Sequence, residues 1–84
     1  MSEKLKNKLL LLTEEKSKKF KAPAEFFISL KNSSFTRLEL MIIDSALKKM
    51  PLDNLHKTLL LPEQRFYVLI EDIIKKLETN YFDA

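Results

Sequence analysis

The stretch FTRLELMIIDSALKKM, Phe35 to Met50, decides the fold. Leu40, Ile43, Leu47 and Met50 recur at helical spacing, and Leu38, Ile42 and Ala46 form a second stripe beside them. Two adjacent stripes predict a helix buried over more than half its surface. In a short chain that is the central helix. Ser34 or Thr36 can cap its start, and Pro51 ends it.

Two segments follow. Leu52 to Leu60 is short, with Asp53 as a plausible cap and Leu55 and Leu59 four residues apart. Leu61-Pro62 breaks it. Glu63 to Glu78 then carries a clean stripe of Phe66, Leu69 or Ile70, Ile73 and Leu77, extended by Ile74 and Tyr81. Glu63 in its first turn and Lys75 and Lys76 in its last suit the helix dipole. Before the central helix, Ala24 to Lys31 is anchored by Phe26, Phe27 and Leu30, and Asn32-Ser33-Ser34 is a turn signal. At the front, Ser2 to Phe20 can form a helix with Leu5, Leu9 and Leu12 on one face and Ser2 as its cap. Past Leu12 the pattern thins to TEEKSKKFK, a charged extension or frayed end, which Pro23 closes.

The whole chain has 84 residues, enough for one small core. It has 16 Leu and 6 Ile but one Val and no Gly, which favours helix and disfavours strands and tight hairpins. The expected fold is therefore all-α: a single-domain bundle of four to five helices. Residues 1–22 carry seven lysines against three glutamates, whereas 23–84 carry eight basic and nine acidic residues. A basic leader helix or arm (1–22) thus precedes a nearly neutral helical domain (23–84). The leader suits an anionic partner or is simply a solvated face.

Composition also excludes chemistry. No glycine means no phosphate-cradling loop, and no cysteine means no thiol nucleophile or zinc cluster of cysteines. One histidine, His56, cannot build a His-rich metal site and reads as a structural residue. Glu14-Glu15 and Glu71-Asp72 diverge by about 100° on a helix and do not converge as a catalytic pair. No enzyme, cofactor or metal is expected. The apolar run Leu9 to Leu12 is too short for an export signal or a membrane span, so a cytoplasmic protein is expected.

One constellation points to function. Leu55, Leu59, Leu61, Phe66 and Leu69 occupy the five positions that a helix-turn-helix buries when its two helices rest on a third. Phe35 to Met50 would be that third helix. A generic leucine-rich bundle satisfies the same pattern. Two positions depart from the motif: His56 stands where a small residue is usual, and Leu60 where the turn favours Gly.

From Phe26 onward the chain resembles the small regulators of fimbrial and adhesin operons, of the P-pilus type. These also carry a Phe-Phe pair, here Phe26-Phe27, and a Ser-Ser pair seven residues on, here Ser33-Ser34. An apolar helix and a helix-turn-helix follow, with a Phe matching Phe66. The resemblance covers about Glu25 to Leu77. His56 stands where the family has Cys, and the family's Tyr-Leu-Val and Gly features between the helices are missing. The resemblance implies an oligomeric, DNA-binding transcriptional regulator in a bacterial cytoplasm.

In a helix-turn-helix spanning 52–78, the start of the second helix enters the major groove. Gln64 can read adenine and Arg65 guanine or phosphate, with Tyr67 beside them. Lys57, Lys48 and Lys49 can meet the backbone. Glu63, Glu71 and Asp72 oppose this by placing acid on the same helix. A homo-oligomer is expected, because one module with few basic contacts binds weakly. The alternative is a small helical protein-interaction module: an immunity protein, a chaperone or an inhibitor of a larger partner. It would anchor through Phe26 and Phe27 or through Leu5, Leu9 and Leu12.

Overall fold

The helix expected to be central opens on a complete capping box, though one of its faces is left exposed. The Thr36 hydroxyl accepts from the Glu39 amide at 3.2 Å, and the Glu39 carboxylate accepts from the Thr36 amide at 2.8 Å. Two orphan donors are satisfied at once, which stabilises a helix start by about 1 kcal/mol. In the computed structural model, which describes residues 3–79, those residues are all-α and 73% helical, with no strand among them. Five helices follow in order: α1 Glu3–Ser17, α2 Pro23–Lys31, α3 Arg37–Leu47, α4 Leu55–Thr58 and α5 Glu63–Thr79. None of them is long and apolar enough to cross a membrane.

The stripes read from the sequence face one core. Ile42, Ile43 and Ala46 of α3 are buried, and so are Phe66, Ile70, Ile73, Ile74 and Leu77 of α5. Leu9 of α1 and Phe26 and Leu30 of α2 complete the cluster at zero exposure. Each of the Leu, Ile and Phe side chains contributes about 1.5–3 kcal/mol by leaving water. Met50 departs from its stripe and is 49% exposed, because α3 ends at Leu47 and the chain has already turned away.

Several boundaries differ from expectation for local reasons. Helix α1 continues past Leu12 as a charged extension but ends at Ser17, short of Phe20. Thr13 makes this possible: it is buried, and its hydroxyl returns to the Leu9 carbonyl at 2.7 Å, so a polar residue fills a core position without an unmet bond. Pro23 does not close α1 but opens α2 at its first turn, and Ala22 before it is extended (φ −141°, ψ 151°). Helix α4 is four residues long rather than nine. Asn54, not Asp53, is at its N-cap, without a side-chain cap bond, and Asp53 instead pairs with Lys6 of α1 at 3.4 Å. The Ser2 cap and the Tyr81 stripe position lie outside the described residues.

The packing partners also differ. Helix α5 rests more on α1 than on α3, and α4 packs on α5. Residues of the basic leader therefore belong to the core layer under α5, with Leu9 as the inserted side chain. Its cations are partly spent inside the fold. Lys6 bridges Glu3 (3.0 Å) and Asp53, Lys8 meets Glu78 of α5 at 3.2 Å, and Lys18 meets Glu14 at 3.7 Å. The Lys6 ammonium is held above its ordinary value of 10.5, first by its hydrogen bond to Glu3 and further by Asp53, with partial desolvation opposing.

A junction hidden from the sequence ties the end of α5 to the start of α3. The Lys76 ammonium donates to Glu39 at 2.7 Å and to the Ser34 carbonyl at 2.8 Å, and it lies 5.5 Å from the Phe35 ring centre. The Glu39 side chain is 3% exposed, so this contact supplies the charge partner a buried carboxylate requires. Lys76, in the last turn of α5, thus serves another helix as well as the dipole of its own.

Candidate nucleic-acid interface

The segment from α4 to α5 is built around Leu60. Its φ is 58°, in the left-handed region where a side chain costs about 1–2 kcal/mol relative to glycine. Two hydrogen bonds fix it there. The Leu60 amide reaches the Lys57 carbonyl at 3.2 Å, and the Leu61 amide reaches the His56 carbonyl at 2.8 Å. This is a Schellman closure, with Pro62 then forbidding continuation. The turn position where a helix-turn-helix favours glycine therefore has the left-handed backbone that glycine would serve, held by leucine.

Of the five apolar motif positions, Phe66 is buried, while Leu55, Leu59, Leu61 and Leu69 are half-buried against the core. His56 fills the site of a small residue by packing its ring against Phe66, with centroids 6.0 Å apart. That spacing belongs to an aromatic contact. The support beneath the motif is α1 as well as α3, a departure from the three-helix arrangement expected.

Gln64, Arg65 and Val68 are exposed on the first two turns of α5. Arg65, Lys57 and Lys49 are exposed and form no ion pair among the described residues. Lys49 sits in a second left-handed closure, with φ 56° at the end of α3. Its own amide and that of Met50 return to the Ala46 and Ser45 carbonyls there. Lys48 is exposed but meets Asp44 at 3.1 Å. Tyr67 is half-buried, and its phenol is held above its ordinary value of 10.0, first by desolvation and then by the negative charge of Glu63 and of Asp53.

The anionic side of this surface is real. Glu63, Glu71, Asp72 and Glu78 are exposed along α5 against Arg65 and Lys75. Glu71 and Asp72 stand about 10 Å along the axis from Gln64 and Arg65, beyond the two turns that enter a groove.

The anchors expected of a protein-interaction module divide. Leu9 and Phe26 are at zero exposure and cannot be offered to a partner in this conformation, while Leu5, Leu12 and Phe27 are half-buried against the core. Among the described residues, no three His, Asp or Glu side chains converge as metal ligands.

No family model, curated protein or solved structure matches the chain. The functional reading therefore rests on the residues and their geometry.

Proposed function

We propose that the chain is a small DNA-binding transcriptional regulator that presents α4, the Leu60 turn and the first two turns of α5 to duplex DNA. The observation that carries this reading is the left-handed backbone at Leu60, closed by two hydrogen bonds and followed by Pro62. It supplies the turn a helix-turn-helix needs, at the position where the motif needs it, in a chain that has no glycine to make it easily. Gln64 and Arg65 stand exposed just beyond. Lys49 and Lys57 add exposed cations without ion partners among the described residues, and Lys48 joins them by leaving Asp44.

In this reading Arg65 donates to guanine or phosphate and Gln64 pairs with adenine. Lys48, Lys49 and Lys57 position the duplex through phosphates. Four cations imply a salt slope of about −3.6, so affinity falls about 100-fold between about 50 and 200 mM salt. Fluorescence anisotropy of a labelled pool of duplexes tests this. Arg65→Ala is expected to cost about 1–3 kcal/mol in binding. No binding at low salt, or binding indifferent to both salt and Arg65→Ala, contradicts it.

The carboxylates along α5 favour a second reading, a helical module that binds a protein partner. Carboxylates oppose phosphate but suit a basic protein surface. Binding to a basic partner that is lost on changing Glu71 and Asp72 to Lys, without any DNA affinity, would select it.

A further inference from the structure

Among the described residues, no other helix covers the outer face of α3. Arg37, Met41, Asp44 and Lys48 recur along it at helical spacing, with half-buried Leu40 and Leu47 at its edge. Met41 is 49% exposed at its centre. Beside it a groove of about 310 Å³ runs between α2 and α3, bounded by Phe27, Lys31, Leu40 and Met41 with Arg37 and Asp44.

The charges on this face have an order. Arg37 is at the start of α3, near Lys31, and forms no ion pair among the described residues. Asp44 lies seven residues on, about 10.5 Å along the axis and within about 20° of the same direction. A second α3 laid antiparallel, about a two-fold axis between Leu40 and Met41, brings each Arg37 against the other copy's Asp44. The apolar pair then meets itself at the centre. Asp44 uses one oxygen on Lys48 at 3.1 Å and keeps another for an incoming guanidinium. A parallel arrangement would set Arg37 against Arg37. Self-complementarity of this kind is what a two-fold interface demands, and a foreign partner would not require it.

We propose that this face joins two copies of the chain in an antiparallel α3–α3 homodimer, with Met41 and Leu40 at its centre and reciprocal Arg37–Asp44 pairs at its flanks. A standard interface buries about 800 Å² per copy, roughly a seventh of the 5556 Å² this chain exposes. Phe27, Leu40, Met41 and the half-buried Leu47 supply its apolar part. The dimer does not depend on the DNA reading. If both hold, one particle presents two turns centred on Leu60.

Sedimentation velocity from about 5 to 500 µM tests it, with circular dichroism confirming helix content. The expected result is a dimer that Met41→Glu weakens at least about tenfold, Met41 being exposed and outside the core. Arg37→Glu alone and Asp44→Lys alone each place like charges opposite one another and weaken it similarly. The double variant Arg37→Glu/Asp44→Lys restores opposite pairs and brings affinity back to within about threefold of the starting chain. A monomer throughout overturns the proposal. So does a dimer insensitive to Met41→Glu, or a double variant no better than either single one. DNA binding by a monomer would sink the dimer and leave the DNA reading standing, so the two fail separately.

Discussion

Two junctions flank the core of this protein, and they are finished differently. At the start of α3, Thr36, Glu39, Lys76 and the Ser34 carbonyl satisfy one another, and the carboxylate is buried. At the turn from α4 to α5, the helix is four residues long, its N-cap side chain makes no bond, and Leu60 is 89% exposed in a left-handed conformation. The first junction uses its charges internally. The second leaves Lys57 and Arg65 without ion partners among the described residues. Closure of polar groups marks what holds the fold. Cations left open beside a costly backbone mark where the fold is available for work.

The largest effect is expected at the closed junction. Lys76→Met leaves the Glu39 carboxylate buried without its partner and costs about 2–3 kcal/mol in urea denaturation, discounted for the partial exposure of Lys76. Adding Glu39→Gln recovers part of that loss, since the buried charge is then gone. A cost below about 0.5 kcal/mol for Lys76→Met would erase the contrast between the two junctions. Next comes Thr36→Ala, expected to lose about 1 kcal/mol with the capping box.

The open junction is expected to respond with the opposite sign. Leu60→Gly removes the left-handed penalty and loses almost no packing, so it raises stability by about 0.5–1 kcal/mol after the entropy of glycine is counted. A destabilised Leu60→Gly chain would mean that leucine has a packing role there, and the turn would no longer be the open member of the pair.

The smallest effect is alkaline. Lys6 and Tyr67 both hold their protons more tightly in the fold than in the unfolded chain. The stability they contribute is complete below their ordinary values of 10.5 and 10.0, and is lost as pH rises through the raised ones. Melting temperature should be insensitive to these two groups up to about pH 9.5 and fall above about 10.5, less steeply in Tyr67→Phe. A flat profile to about pH 11.5 would contradict the pairing of Lys6 with Glu3 and Asp53 and the desolvation of Tyr67.

Sequence reading reached the elements built on periodicity. The α5 stripe and the α3 core were legible because buried residues repeat every three or four positions. The capping box was half legible: Thr36 marks the helix start, and Glu39 three residues on completes a T-x-x-E pattern. The Lys76 contact with Glu39 was not legible, since 37 residues separate them and nothing local marks the pair. The depth of α1 was obscured by its lysines. Leu5, Leu9 and Leu12 marked the face, but Thr13 hid its continuation by satisfying its own hydroxyl. In the candidate site, Leu60 was legible only as a departure from glycine, and the structure shows the backbone adopting the glycine-like conformation regardless.

The central claim is that DNA meets the surface between Lys48 and Val68, with the turn at Leu60 in its middle. Amide shift mapping of the isotope-labelled protein, titrated with a short duplex at about 50 mM salt, tests it most directly. The account predicts perturbations centred on Lys48, Lys49, Lys57 and residues 63–68, with α2 and the start of α3 around Arg37 and Met41 unaffected. Perturbations confined to the lysines of residues 16–21, or none at all, would contradict it.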